Sequence, residues 1–373
     1  MGFTVGLPRM HKEAGERRDF LPAFAAVLER AGADRIVLEE GYGAGVGAGE
    51  AEYLGAARRL RFGTLEDCLA QNVVVVVRCP SEDALERIRP GSVLVSMLHY
   101  PTRPARVELL LARGIVGVSM DGIEDEGGLR LVENLEGVAW NGTREAFRKI
   151  RERHPHFDHP DRRPLHVTCL GSGRVGGLAV HAATRYGDPR LREELAVKLV
   201  PGVEVTVVDF DLTRHEDYLR TRLATTDLLI DATHRLDPTR PVVPNRWLAD
   251  LPEDAVILDL AADPYQLDLE PALVKGVEGV PHGDLDRYVF ETDDPAYDAL
   301  EGGVETKNRR VALSCDSWPG LKPRRCMERY GEQLEPVMEL ILSRPADTWD
   351  AAGGSHIERA VARAEVARWA ARA

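Results

Sequence analysis

The sequence lacks the features that would assign it to a nucleic-acid-binding, membrane or secreted class. Lys and Arg (48) are outnumbered by Asp and Glu (61), for a net charge of −13, and no basic stripe or aromatic RNA-binding motif is present. No apolar run reaches the ~20 residues that a membrane-spanning helix needs. The first nine residues lack the charged start and long apolar core of a signal peptide. We therefore expect a cytoplasmic protein with no nucleic-acid or membrane partner.

Cysteine is also scarce and shows no paired spacing. The 5 cysteines are an odd number without a close C-x-x-C spacing, so neither a disulfide framework nor a zinc site is indicated. His154, His156 and His159 lie in a proline-punctuated segment, but no nearby acid or cysteine completes a known ligand spacing. We therefore expect no metal, and we find neither internal repeats nor low-complexity stretches.

Short apolar runs alternate with helical patterns along the first part of the chain. The 373 residues are 44% apolar and 29% charged, which supports real cores and about two domains. Strands are predicted at 3–7, 35–38, 73–77, 92–97 and 115–120, with helices at 21–31, 65–70, 81–88 and 105–113. Such alternation predicts a parallel sheet that is covered on both faces.

The most specific motif lies between an apolar run at 167–170 and a helical pattern that continues to Tyr186. Its residues are Gly171, Ser172, Gly173, Arg174, Val175 and Gly176. In a dinucleotide-binding loop Gly171 makes the tight turn, Gly173 lets the backbone approach a pyrophosphate, and Gly176 allows close helix–strand packing. The diphosphate would rest on the helix N-terminus, whose unpaired N–H groups and dipole favour an anion. The motif therefore predicts a nucleotide-binding loop that includes Arg174 and Val175.

A second predicted strand, at 203–208, ends in Asp209, which would accept hydrogen bonds from the ribose hydroxyls. This acid lies further from the glycine loop than the usual ~20 residues. We interpret the excess as an insertion between Tyr186 and Val203, where two turns flank a short helix. An acid favours NAD (NADH) over NADP, because a carboxylate would repel a 2′-phosphate. Asp211 is a competing candidate for the same role.

The rest of the chain predicts further strands and a return of its end to the first lobe. A helix is expected to begin at Thr143, a linker to cover 154–164, and later strands to cover 228–234, 256–263 and 311–316. Two amphipathic helices, 325–343 and 357–373, are expected to pack on the first lobe. The predicted fold is α/β: two doubly wound lobes with a cleft between them. A Rossmann domain (143–319) is inserted into a discontinuous substrate lobe (1–142 and 320–373).

Several strings, in order along the chain, resemble the alanine dehydrogenase and saccharopine dehydrogenase superfamily and its opine-forming relative, N5-(carboxyethyl)ornithine synthase. They are Gly15-Glu-Arg-Arg18 with Pro22, the run at 39–45 followed by 51–53, Arg78-Cys-Pro80, Ser96-Met-Leu-His-Tyr100, Leu258-Asp-Leu-Ala-Ala-Asp263 and the run at 314–324. The last run is most similar to the saccharopine and opine enzymes, which also have an Asp three positions before the Pro. The resemblance implies hydride transfer between a nicotinamide and a carbon that bears an amine and a carboxylate.

Such a reaction needs an acid–base group, a carboxylate near the developing iminium and a cation for the substrate carboxylate. The resemblance implies that His99 donates and accepts the proton. Asp263, facing the nicotinamide, would stabilise the ammonium, the iminium or the attacking water. Arg78 replaces a lysine of the family; because arginine stays protonated, it can bind a carboxylate or orient water but not shuttle protons.

Five further residues are candidates for substrate binding. Counting back from Pro22 selects Arg17 as the carboxylate-binding cation, whereas the Gly-Glu-Arg-Arg string selects Arg18. Arg130 follows the Gly127-Gly128 turn, and Asp316 and Trp318 would lie at the entrance of the substrate lobe. For each candidate the alternative is an ordinary structural role.

Together these interpretations predict an NAD-dependent amino-acid dehydrogenase of the saccharopine or opine type. It would reduce the imine formed between a 2-oxo acid and an amino acid. The alternatives are an oxidative deaminase of the alanine dehydrogenase type, which uses free ammonia, and a non-catalytic NAD-binding relative, which the missing lysine supports. The expected partners are small molecules, and the chain would act as a monomer or a homo-oligomer.

Overall fold

The computed structural model describes residues 2–11, 14–235, 237–261, 263–300 and 302–372. The chain forms two compact units: a central unit, Leu135–Leu321, and a terminal unit, Met1–Asn134 together with Lys322–Ala373. Ala262, within the predicted strand at 256–263, and Ala373, at the end of the last predicted helix, lie outside the described residues. No helix in the described ranges is both long enough and apolar enough to cross a membrane.

The terminal unit is built on a parallel sheet with the strand order β3-β2-β1-β4-β5-β6. Its strands are β1 (Phe3–Leu7), β2 (Ala33–Glu39), β3 (Leu60–Gly63), β4 (Val73–Arg78), β5 (Val93–Met97) and β6 (Val116–Ser119). The helices between them are α1 (Pro22–Arg30), α2 (Glu50–Ala56), α3 (Leu65–Leu69), α4 (Glu82–Arg87) and α5 (Pro104–Ala112). The consecutive valines of β4 are buried, as expected for the centre of a parallel sheet covered on both faces.

The central unit carries a second sheet, with the order β11-β12-β10-β9-β7-β8. Its strands are β7 (Leu165–Leu170), β8 (Val203–Val208), β9 (Leu228–Asp231), β10 (Val256–Asp259), β11 (Val289–Phe290) and β12 (Val311–Ser314). All of its pairs are parallel except β11 with β12. The helices are α6 (Leu135–Arg153), α7 (Arg174–Ala183), α8 (Pro189–Val197), α9 (Phe210–Thr213) and α10 (Glu216–Leu223). The prediction of two α/β lobes with parallel sheets is confirmed.

Helix α6 corrects the predicted start of a helix at Thr143, because it begins eight residues earlier. Asn141 and Gly142, which precede the predicted start, are both buried inside the helix. A Cβ on Gly142 would lie 2.6 Å from a methyl carbon of Leu260. The glycine therefore serves close packing of α6 on the sheet, and the predicted boundary after residue 142 falls within one continuous helix.

The end of the chain forms three helices in the terminal unit: α11 (Pro323–Ser343), α12 (His356–Arg363) and α13 (Val366–Ala370). The prediction of one helix over 357–373 is wrong at Glu365. Its carboxylate accepts hydrogen bonds from the N–H groups of Ala367 (2.9 Å) and Arg368 (3.1 Å), so it begins a new helix. The carbonyl of Ala364 accepts a bond from the N–H of Ser119 at 3.1 Å.

Candidate active site

The glycine loop joins β7 to α7 at the point where the chain reverses its direction across the central sheet. Strand β7 lies between β8 and β9, and such switch points are where open α/β sheets bind ligands. Gly171 has a left-handed φ of +91°, and a Cβ there would lie 2.8 Å from the carbonyl oxygen of Ala232. A Cβ on Gly176 would lie 2.1 Å from the carbonyl oxygen of Gly171. Both positions therefore require glycine.

Gly173 differs from its two neighbours in the motif. It is the N-cap of α7 in an extended conformation, and nothing lies within 4 Å of the position of its Cβ. The space beside its backbone is therefore available to a ligand, and the first N–H groups of α7 point toward it. Arg174 and Val175 form the first turn of that helix. The loop fits a diphosphate.

Asp209 follows β8 and lies beside the glycine loop. The hydroxyl of Ser172, within the loop, donates to the Asp209 carboxylate, and the N–H of Phe210 donates to its other oxygen at 2.8 Å. The hydrogen bond from Ser172 lowers the pKa of Asp209. Asp211 is exposed in α9. The hydrogen bond from Ser172, which the glycine motif did not predict, favours Asp209 over Asp211 as the ribose ligand.

In the terminal unit, His99 lies just past the end of β5 and forms an ion pair with Asp121, which follows β6. The His99 Nδ1 atom is 3.1 Å from the Asp121 Oδ2 atom, and the imidazole is 47% exposed. The carboxylate also accepts hydrogen bonds from the N–H groups of Leu98 (3.1 Å) and His99 (3.3 Å). These bonds hold His99 in a left-handed conformation with φ of 51°, which residues other than glycine rarely adopt.

The pKa of Asp121 indicates how strongly its carboxylate is paired with His99. Burial acts to raise the pKa of Asp121, but hydrogen bonds and charge from His99, together with the Ser119 hydroxyl, outweigh it. The pKa is therefore held well below its usual range, and the carboxylate stays ionised at neutral pH. Because the Asp121 carboxylate pairs with Nδ1, the other ring nitrogen, Nε2, faces away from it and is the atom that exchanges protons. Sequence reasoning missed Asp121, because it lies on a different strand from His99.

Arg78 ends β4, the strand next to β5, and lines a pocket in the terminal unit. Strands β1 and β4 are neighbours, but the connections that follow them run to opposite sides of the sheet. The pocket at their carboxyl ends therefore lies at this sheet's own switch point. It has a volume of about 140 Å³, and we call it the switch-point pocket. Its apolar lining residues include Met10, Leu65, Leu69, Val76, Cys79 and Ala84.

The structure separates the two candidates for the carboxylate-binding cation. Arg18 is buried, and its guanidinium donates two hydrogen bonds to Glu16, at 2.9 Å through Nε and 2.5 Å through Nη2. This bidentate pair occupies the fork that a substrate carboxylate would need. Arg17 is exposed. Of the two, Arg17 has the surface that a substrate can reach.

Asp263 lies in the central unit, four residues past the end of β10, which corrects the prediction that it ends that strand. The ladder to both neighbouring strands stops at Asp259, because the chain leaves the sheet there. The Asp263 carboxylate accepts a hydrogen bond from the buried guanidinium of Arg235 at 2.7 Å and remains 41% exposed. Arg235 therefore positions Asp263.

Two of the remaining candidates lie in the central unit rather than in a substrate lobe. Trp318 is 1% exposed, and its indole N–H donates to the carbonyl of Asp259 at 2.8 Å; the predicted entrance residue is a core residue. Asp316 is 2.8 Å from the Nε2 atom of His282. Arg130, in the terminal unit, is 45% exposed and 3.8 Å from Glu124.

Comparison with known proteins gives several similar proteins. Residues 6–139 match the family described as "Alanine dehydrogenase/PNT, N-terminal domain". Alanine dehydrogenase of Geobacillus stearothermophilus is 27% identical over 220 residues, 56% of this chain and 54% of that enzyme. The chain is similar to the alanine dehydrogenases over part of its length. It spans only about half the length of the first curated relatives that it matches (54%, 36% and 50%).

Three further proteins are similar to this chain in sequence or in structure. "Shikimate dehydrogenase (NADP(+))" of Latilactobacillus sakei subsp. sakei is 31% identical over 253 residues, 63% of this chain and 75% of that enzyme. A solved L-alanine dehydrogenase superimposes with a TM-score of 0.71 at 18% identity, covering 97% of this chain and 94% of that one. A transhydrogenase from Sinorhizobium meliloti gives a TM-score of 0.61 at 17% identity, covering 90% and 94%. The likeness to the two solved structures shows the fold.

Proposed function

We propose that this protein is an NAD-dependent amino-acid dehydrogenase that uses free ammonia. In the oxidative direction an amino acid and NAD⁺ give an imine, NADH and a proton; water then releases ammonia from the imine and leaves a 2-oxo acid. The observation that carries the proposal is the His99–Asp121 pair at the carboxyl edge of the terminal sheet, next to the strand that ends in Arg78. The saccharopine and opine reading loses support, because Trp318 is buried in the core and Asp316 belongs to the central unit.

The glycine loop supports a dinucleotide as the cofactor. Gly171 and Gly176 satisfy steric demands of the fold, whereas Gly173 leaves open space beside the N-terminus of α7. The bound nicotinamide would supply the hydride acceptor. Asp209 next to the loop favours NAD, because its ionised carboxylate would repel a 2′-phosphate and accept ribose hydroxyls instead.

In the terminal unit the residues divide the substrate chemistry between them. Arg17 and Arg78 would bind the substrate carboxylate, since both guanidinium groups stay protonated. The imidazole of His99 takes a proton from the attacking water or the ammonium group and returns it in the reverse direction. Asp121 stabilises the imidazolium that forms and holds the ring in place.

Substitutions in the glycine loop test the cofactor assignment. We expect Gly173→Ala to weaken NADH binding by at least about tenfold, because a methyl group there would occupy the space of the pyrophosphate. Folding should be unaffected, since nothing lies within 4 Å of that Cβ position. Gly177→Ala, one turn along the same helix and equally open, is the matched control and should bind NADH normally. Fluorescence titration and thermal unfolding measure the two properties, and equal affinities would refute the assignment.

A substrate panel tests the reaction. NADH or NADPH oxidation is followed with pyruvate, 2-oxoglutarate and glyoxylate, each with ammonia and then with lysine or ornithine. We expect turnover with NADH and ammonia alone. Turnover only with an amino acid as the second substrate would restore the opine type. Absence of turnover with all pairs, despite tight NADH binding, would instead indicate a non-catalytic NAD-binding relative.

A further inference from the structure

We infer that the switch-point pocket receives the substrate's side chain, and that the substrate carries an apolar group of about four to seven carbons in place of a methyl group. This inference rests on the proposed function and extends it by naming the class of amino acid and 2-oxo acid that the enzyme uses.

The size of the pocket is the first argument. Its volume of about 140 Å³ is close to that of an apolar cavity of about 150 Å³ that binds benzene. A methyl group would leave most of this volume to water in contact with apolar walls. A branched aliphatic or aromatic group fills it.

The chemistry of the walls is the second argument. Helices α3 and α4 contribute Leu65, Leu69 and Ala84, and β4 contributes Val76. The lining also contains the charged or titratable residues Arg9, His11, Glu16, Arg78 and Arg87, and two of them are bound to partners in the same unit. His11 is 2.7 Å from Glu39, and Arg87 is 2.6 Å from Glu66.

The carboxylate of Glu16, also in the lining, is held in its pair with Arg18. A second substrate carboxylate beside His11 or Arg87 would therefore have to compete with the carboxylate already there, and it would meet a like charge at Glu16. An apolar group displaces only water. The lining thus favours a hydrophobic side chain over an acidic one.

The position of the pocket is the third argument. Arg78 both lines the pocket and ends β4, and Arg78 pairs in register with Met97 of β5, two residues before His99. A substrate whose carboxylate is bound by Arg78 can therefore extend its side chain into the pocket while its reacting carbon remains on the His99 side. The carboxyl edge of the sheet therefore determines where the substrate's carboxylate, side chain and reacting carbon lie.

The test compares 2-oxo acids of increasing side-chain length in the reductive direction with NADH and ammonia: pyruvate, 2-oxobutanoate, 4-methyl-2-oxopentanoate, phenylpyruvate and 2-oxoglutarate. Each CH₂ group that enters the pocket should raise kcat/KM by about fourfold. We expect 4-methyl-2-oxopentanoate or phenylpyruvate to exceed pyruvate at least tenfold, and 2-oxoglutarate to fall below both.

A pocket-filling variant connects this preference to the pocket. Ala84→Leu should lower kcat/KM for the largest acids by at least about tenfold and leave pyruvate within about threefold. Ala84→Val is a smaller change that preserves the test if the leucine variant folds poorly. Ala112→Leu, on the exposed side of α5, is the matched control and should change no substrate preference.

Failure of the pocket inference and failure of the proposed function give different experimental results. If pyruvate is the best acid and Ala84→Leu leaves all ratios unchanged, the pocket inference is overturned while the dehydrogenase assignment stands. If no acid supports turnover although NADH binds, the proposed function is overturned and the inference falls with it.

Discussion

Replacing His99 by alanine is expected to lower kcat about 10²- to 10⁴-fold in both directions, the usual contribution of a positioned acid–base group. The affinity for NADH should not change, because the glycine loop belongs to the other unit. The reason for the loss is specific: among the candidates for the site, the imidazole is the group that can both accept and return a proton, since a guanidinium has no acceptor atom.

The backbone conformation at position 99 decides which substitution is suitable. His99 has a φ of 51°, a left-handed conformation that asparagine tolerates better than alanine. His99→Asn therefore removes the acid–base group with the least added strain, and both variants should lose activity equally. Steady-state kinetics gives kcat, and an NADH titration gives the affinity. Retained kcat in the asparagine variant would exclude His99 as the proton carrier.

Asp121→Asn is the control that separates positioning from proton transfer. The variant keeps the shape of the side chain but removes the charge that pairs with the imidazole. We expect a partial loss of kcat with an altered pH profile, together with unchanged NADH binding. A merely structural role would lower the melting temperature without moving the pH profile.

Local patterns predicted those parts of the fold and site that depend on one short segment. The apolar runs of β1, β4 and β5 and the Gly171–Gly176 loop follow from residues that are adjacent in sequence. The steric need for glycine at Gly176 is likewise local, since its Cβ would meet the carbonyl oxygen of Gly171, whereas the need at Gly171 comes from the distant Ala232. The strand β3, Leu60–Gly63, was missed because it is four residues long, carries Arg61, and lies at the sheet edge, where a strand need not be apolar.

The partners of the site residues could not be predicted, because they come from distant segments. Asp121 reaches His99 from the end of the next strand, and Arg235 reaches Asp263 from 28 residues earlier. Motif resemblance also placed Trp318 at an entrance, whereas its hydrogen bond to the Asp259 carbonyl places it in a core. Resemblance identifies residue types, but burial and pairing decide what each residue can contact.

The central unit contains a buried charge network whose titration has a predictable effect on stability. Lys275, 2% exposed, is 2.6 Å from Asp259 and donates to the Ser314 hydroxyl at 3.1 Å. Asp231, also buried, accepts hydrogen bonds from the N–H (3.0 Å) and hydroxyl (2.7 Å) of Thr233. Burial, with a further contribution from the charge of Asp259, raises the pKa of Asp231 to about 6.

Asp231→Asn is therefore expected to stabilise the protein above pH 6. Because the folded-state pKa is raised, the native state binds the proton more tightly than the unfolded chain, and its stability falls as pH rises from about 4 to above 6. The neutral amide avoids this loss, so the variant should gain about 1–3 kcal/mol at pH 8 and nothing below pH 4. Asparagine keeps the oxygen that Thr233 needs. Denaturant unfolding at pH 4, 6 and 8 measures the difference.

Lys275→Met, in the same network, is the control, and it should change the free energy of unfolding in the opposite direction. It leaves the buried carboxylate of Asp259 without its cation, which costs about 3–5 kcal/mol for a buried ion pair. The two variants differ in sign because one removes an excess carboxylate and the other removes the cation that compensates the remaining one. A loss of stability at pH 8 in both variants would mean that Asp231 is needed in its ionised form, and the account of its raised pKa would be wrong.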